Sequence, residues 1–119
     1  MGLSTEATLD VLRAIGEETR LRIVLLLPHG ELTVTDLTEI LGQSQPRISR
    51  HLKLLAEAGV VDRHREGTRV YFKGVDHGPI GALVAGLTAG RTRRHQHPIH
   101  FRLQRNSEGD SPAQAGHLD

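Results

Sequence analysis

The chain has 119 residues, of which 37% are apolar, and a net charge of +1, enough for one domain with a modest core. It has no cysteine, which excludes disulfides, thiolate metal sites and thiol redox sensing. No apolar run approaches the roughly 20 residues that span a bilayer, and no basic-then-apolar leader opens the chain, so the sequence reads as cytoplasmic with no membrane partner.

Ser4 or Thr5 can cap a first helix with an apolar stripe of Leu9, Leu12 and Ile15, and Gly16 ends it. Glu17 and Glu18 suit the positive dipole end of a second helix. That helix is expected to bury Leu21, Val24 and Leu25 and to stop at Pro28-His29-Gly30. Thr33, with Asp36 three residues on, resembles a capping box for a third helix carrying Val34, Leu37, Ile40 and Leu41. Gly42 breaks the chain and Ser44 caps a fourth helix, where Pro46 is tolerated in the first turn. Ile48, Leu52 and Leu55 point inward on it, and Gly59 supplies a left-handed stop. Two helices joined by a tight turn containing Gly, the second of them basic, form a helix-turn-helix.

Val60 and Val61 lead into a strand, Glu66-Gly67 makes a turn, and Thr68 to Lys73 form a second strand. There Val70 and Phe72 alternate with Arg69, Tyr71 and Lys73. A fifth helix begins near Asp76 with Ile80, Leu83, Val84 and Leu87 as its stripe and Gly81, Ala82, Ala85 and Gly86 on other faces. The two glycines lower helix propensity, so a partner helix from a second copy is expected to hold it. The pattern stops near Gly90. The expected fold is mainly α with a small β wing, a homodimeric winged helix-turn-helix of order α-α-α-α-β-β-α over residues 1–90. Residues 91–119 form a basic, histidine-containing and then polar tail, and the polar stretch 106–119 is expected to be disordered.

Charge is segregated along the chain. Residues 1–43 carry −4, residues 44–73 carry +4 and the remainder +1, so one half can lie on phosphates. With Ile48, Leu52 and Leu55 inward, Pro46, Ser49, Arg50 and Lys53 lie on the outer face of the fourth helix and Arg47 at its edge. The start of such a helix reaches base edges in the major groove, which makes Gln45, Arg47, Ser49 and Arg50 the candidates for reading an operator in double-stranded DNA. Gln suits adenine and Arg suits guanine through paired hydrogen bonds. Ser44 and Lys53 suit phosphates, Ser44 being also the helix cap. His51 reads either as a further DNA contact or as a side chain packed on the wing. The segment Arg63-His64-Arg65-Glu66-Gly67-Thr68-Arg69 would reach the adjacent minor groove or its phosphates. Gly67 allows the reversal, and Arg65, Thr68 and Arg69 flank it.

At these residues the sequence resembles the ArsR/SmtB family of bacterial winged-helix regulators. The resemblance lies in Gly16-Glu-Glu-Thr-Arg-Leu-Arg-Ile23, Glu31-Leu-Thr-Val-Thr-Asp-Leu37, Gln45-Pro-Arg-Ile-Ser-Arg-His-Leu-Lys-Leu-Leu55 and Gly67-Thr-Arg-Val-Tyr71, in that order. It implies a homodimer joined through the first and fifth helices, which represses an operator and releases it when a metal or other effector binds. It gives no catalytic role, and the chain has no Gly-rich phosphate loop, Ser-His-Asp set or paired catalytic carboxylates, so the expected function is not enzymatic.

Departures from the family pattern bear on the effector. Arsenic-type members carry two cysteines where Thr33 and Thr35 stand here, and a neutral hydroxyl does not replace thiolate for a soft metal. Nickel and zinc members use Asp and His on the fifth helix. Asp76 and His77 fall near such positions, but the later partners would lie near Thr88 and Arg91, which are not ligands. Eight histidines still invite a metal reading, because imidazole suits nickel and zinc. The candidate ligands are Asp76, His77, His95, His97 and His100, for Ni2+ or, as alternative, Zn2+. The same His95–His100 cluster, preceded by Arg91, Arg93 and Arg94, also reads as a solvated basic tail near DNA. On that reading the chain is a DNA-binding adaptor with no effector site of its own, controlled by a regulatory partner protein.

Overall fold

A computed structural model describes residues 2–89. His95, His97, His100 and the polar stretch 106–119 lie outside the described residues. The elements run α1 (Thr5–Ile15), α2 (Glu18–Leu26), α3 (Val34–Leu41), α4 (Gln45–Glu57), β1 (Val61–Glu66), β2 (Arg69–Gly74) and α5 (Gly78–Thr88), with a 3-10 turn at Leu27–His29 after α2. This is the expected winged helix-turn-helix order.

Caps fix most helix starts. Ser4, not Thr5, caps α1, its side chain accepting from the Ala7 N–H. Glu17 caps α2 by accepting from the Arg20 N–H. At α3 the Thr33 hydroxyl accepts from the Asp36 N–H at 3.1 Å and the Asp36 carboxylate from the Thr33 N–H at 3.0 Å, so the reciprocal box is complete. Ser44 caps α4 and Gly42 ends α3 in the left-handed region.

Which face each helix buries differs from the sequence expectation in three places. In α1 the buried set is Val11, Ala14 and Ile15, while Leu9 and Leu12 are 42% and 47% exposed. At 100° per residue the two leucines occupy the sector beside the core face. In α2 the buried residues are Thr19, Ile23, Val24 and Leu26, and Leu21 and Leu25 are half-buried. The polar residues of that helix gather in its first half and most of its apolar ones in Ile23–Leu26, so its period cannot choose a face. The fifth helix starts at Gly78, with His77 as its N-cap residue, rather than at Asp76. It buries Gly81 and Val84 and leaves Leu87 exposed. Gly81 must be glycine, because a Cβ there would sit 2.8 Å from the Asp76 carbonyl carbon.

The two strands pair antiparallel from Val61↔Gly74 to Glu66↔Arg69, leaving Gly67 and Thr68 as a two-residue turn. The turn therefore falls one residue later than Glu66-Gly67, and Thr68 belongs to it rather than to the strand. Gly67, at φ 65°, takes the first central position, where a positive φ matches the twist of a tight hairpin. A further bridge not foreseen in the sequence joins Leu32 to Phe72, with N–H to O distances of 3.0 and 2.8 Å. It ties the loop before α3 to the hairpin, and Leu32 and Phe72 are both buried there. One aliphatic core joins these parts through Val11, Ile23, Leu37, Ile48, Leu55 and Val60.

Candidate nucleic-acid interface

The fourth helix is divided by burial as its sequence demands. Ile48, Leu52 and Leu55 are at most 1% exposed, and Gln45, Pro46, Arg47, Ser49, Arg50 and Lys53 are all exposed. At 100° per residue Arg50 lies near the middle of the outer face, with Lys53 and Ser49 to one side and Arg47 to the other. The exposed Leu54 also lies on that outer side, one turn below Arg50. Ser44 is exposed at the helix start, and its hydroxyl accepts from the Arg47 N–H at a long 3.4 Å. The cap is thus weak, and the hydroxyl has capacity for a second partner.

Alternation along the hairpin separates its cations into two sets. Arg63 and Arg65 lie opposite Phe72 and Val70, on the face that carries the buried Val61 and Phe72. Arg69 lies on the other face, opposite Glu66, as Lys73 lies opposite Asp62. Between those pairs His64 faces Tyr71 with ring centroids 6.2 Å apart. Arg65 and Arg69 therefore flank the turn without sharing a face. Arg63, rather than Arg69, is the neighbour of Arg65. The strand alternation from Val61 carries that signal in the sequence, since residues two apart share a face.

His51 is placed differently from either reading of the sequence. Its side chain is 13% exposed and packs toward the start of α2, not toward the hairpin. Arg20 Nη1 donates to His51 Nδ1 at 3.2 Å, while Arg20 Nε donates to the Ala14 carbonyl at 2.6 Å. Burial holds the His51 pKa below its usual value, opposed by Glu17 and reinforced by Arg20, Arg47 and Arg50. The Glu17 carboxylate lies 3.9 Å from His51 Nδ1, too far for a hydrogen bond, and is held below the usual carboxylate range chiefly by the Arg20 N–H. Beside this cluster Gln43 Nε2 donates to the buried Thr19 hydroxyl at 2.9 Å. The role of Arg20 and Thr19 is not readable from periodicity, because both sit in a polar first turn, Glu18-Thr19-Arg20, that looks solvated.

Asp76 and His77 are adjacent and exposed, with Nδ1 and Oδ1 3.3 Å apart. That hydrogen bond is the main cause of a lowered Asp76 pKa. Among the described residues no group of three or more His, Cys, Asp or Glu side chains is placed to hold a metal. Two donors fall short of the four ligands of a structural zinc site. Thr33, at a cysteine position of the arsenic-type pattern, has its hydroxyl engaged as the α3 cap.

Residues 17–63 match the family described as bacterial regulatory protein, arsR family. The chain is 39% identical over 106 residues to the arsenical resistance operon repressor of Escherichia coli, covering 87% of this chain and 91% of that protein. It is 39% identical over 72 residues to the SmtB transcriptional repressor of Mycobacterium tuberculosis, covering 60% of this chain and 53% of that one. Among solved structures it is similar to a homodimeric winged helix-turn-helix DNA-binding domain from Mycobacterium bovis, a possible ArsR-family regulator. The TM-score is 0.61 at 28% identity, over 81% of this chain and 96% of that domain.

Proposed function

The chain belongs to the arsR family of bacterial regulatory proteins and is a DNA-binding transcriptional regulator, and from that premise we propose that it represses a near-palindromic operator as a homodimer. The observation that carries this reading is α4, whose exposed basic face lies over a fully buried Ile48–Leu52–Leu55 stripe. Gln45, Arg47, Ser49 and Arg50 read base edges. Ser44 and Lys53 hold phosphates, and the hairpin adds Arg65 with Arg63, then Gly67, Thr68 and Arg69 around the turn. His51 acts from behind the helix. Residues 1–90 are the unit that binds DNA and dimerises.

Exposed leucines support the dimer. Leu9 and Leu12 on α1 and Leu87 on α5 are large apolar side chains left 38–47% open. A second copy would cover them. Two recognition helices then lie about 34–36 Å apart, one turn of the duplex. Sedimentation at micromolar concentration is expected to give a dimer. A monomer that still binds one duplex sequence specifically would remove this part of the proposal.

The effector reading is nickel or zinc. Asp76 and His77 supply two donors, and His95, His97 and His100 would complete the set, a nitrogen and oxygen combination that suits a borderline divalent metal without thiolate. The arsenical link in the name of the E. coli relative does not carry over, since Thr33 and Thr35 offer hydroxyls and the chain has no thiolate. Calorimetric titration with nickel and with zinc is expected to show binding that weakens below about pH 6.5, where imidazole protonates. Operator affinity should change with it, since the coupling is reciprocal. His77→Ala and a chain ending at Gly90 should each weaken metal binding. If the metal leaves operator affinity unchanged, or neither variant alters metal affinity, the adaptor controlled by a partner protein takes its place.

A further inference from the structure

The apolar stripe of α4 fixes which face turns inward, but hydrophobic burial is non-directional and tolerates small rotations and tilts about that orientation. Hydrogen bonds supply direction. Two consecutive residues at the start of α2 make them to the reading unit. Thr19 receives Gln43, in the turn before α4, at 2.9 Å, and Arg20 reaches His51, on α4 itself, at 3.2 Å. The same guanidinium donates to the Ala14 carbonyl in the last turn of α1 at 2.6 Å. One rigid, planar group therefore spans the end of α1 and the middle of the recognition helix, one residue from Arg50.

We propose that Arg20 is the positioning residue that sets the angle of the recognition helix, and that a proton on His51 Nδ1 releases it. The proposal rests on DNA recognition through α4. A guanidinium has no acceptor and stays charged, so the contact exists only while Nδ1 carries a lone pair and the imidazole proton is on Nε2. A proton arriving at Nδ1 removes the acceptor and sets a second positive charge 3.2 Å from the Arg20 nitrogen. The charged groups around His51 are Glu17, which favours that proton, and Arg20, Arg47 and Arg50, which oppose it. Glu17 is already engaged by the Arg20 N–H at 3.0 Å, and the imidazole is largely buried, so the neutral ring is the form at neutral pH. Because the folded ring is held below its usual value, the free energy that keeps it neutral is drawn down as the pH falls below about 6.5, and the tie opens only once the pH passes that lowered value. Base-edge contacts depend on the helix angle, whereas phosphate contacts tolerate it. Release therefore reduces sequence selectivity more than general affinity for DNA.

The test uses the full chain, a duplex enriched from a random-sequence library, and a scrambled duplex of equal length. Arg20→Lys keeps the charge but cannot span both acceptors. It is expected to lower affinity for the enriched duplex roughly tenfold, the size of one directional hydrogen bond to a charged group, with the scrambled affinity and the salt slope unchanged. In wild type the ratio of the two affinities should fall severalfold between pH 7.5 and 5.5. His51→Asn has an amide oxygen at the position of Nδ1 that accepts from Arg20 and cannot be protonated, so its ratio should hold level with pH. All other histidines are common to both proteins, so the difference between the two profiles isolates His51. Nitrogen-15 shifts of the imidazole at pH 7.5 should show a bare Nδ1. A protonated Nδ1, parallel pH profiles, or equal losses on both duplexes in Arg20→Lys would overturn the proposal. If wild type shows no selectivity at any pH, recognition through α4 fails instead.

Discussion

Leu52→Ala is expected to lower the free energy of unfolding by about 2–5 kcal/mol, the range for removing a buried leucine side chain without collapse of its cavity. Leu52 is 1% exposed and stands between Ile48 and Leu55, both at 0%, on the only apolar stripe that α4 has. The helix carries Gln45, Pro46, Ser49 and two arginines in its first half, so its propensity alone does not hold it. Total stability of a domain this size is about 5–15 kcal/mol, and one such cavity removes a large part of it. The neighbouring Leu54→Ala is the control. Leu54 is 38% exposed, and its loss should cost well under half as much. Urea denaturation of both variants measures the difference. Equal midpoints would mean that α4 is not anchored by this stripe.

Arg50→Ala carries the second large effect, on binding rather than stability. Arg50 sits near the middle of the exposed α4 face, where a side chain can pair with a base edge. Its loss should cost about 1–3 kcal/mol on the preferred duplex, with affinity for a scrambled duplex nearly unchanged. Arg65→Ala should weaken binding to both duplexes alike and reduce the salt slope by about one counterion, since a phosphate contact releases ions whatever the sequence. The hairpin register adds a distinction between the two wing arginines. Arg65 lies opposite Val70, whereas Arg69 lies opposite Glu66, a carboxylate that offsets its charge toward DNA. Arg69→Ala should therefore cost less than Arg65→Ala. Salt titrations of the three variants on both duplexes check this. Proportional losses everywhere would remove the separation of base-reading helix from phosphate-holding wing.

Element order, caps and the inner stripe of α4 were legible in the sequence because each rests on local chemistry. Thr33 with Asp36, Ser44 with Pro46, and Gly67 in the hairpin turn state their structure within three or four residues. The faces of α1 and α2 were not legible. Leu9 and Leu12 look like core by spacing, yet the body of the domain meets α1 at Val11, Ala14 and Ile15, and an exposed leucine pattern is the same in sequence whether a core or a second copy covers it. In α2 the polar residues gather in the first half and most of the apolar ones in the second, so no period distinguishes Ile23 from Leu21. Long-range polar contacts were beyond reach for another reason. The Arg20–His51 contact joins residues 31 apart, and the Leu32–Phe72 bridge joins a loop to a strand. Neither leaves a periodic mark.

Selectivity itself is the most direct measurement of DNA recognition through α4. Purified protein is equilibrated with random-sequence duplexes, the bound fraction is enriched, and its dissociation constant is compared with that of a scrambled duplex at one fixed salt concentration. The expected result is a near-palindromic sequence with half-site centres about one helical turn apart, bound at least roughly 10³-fold more tightly than the scrambled duplex. Arg50→Ala should reduce most of that margin. A single affinity for every duplex, with no sequence enriched, would contradict recognition through this helix.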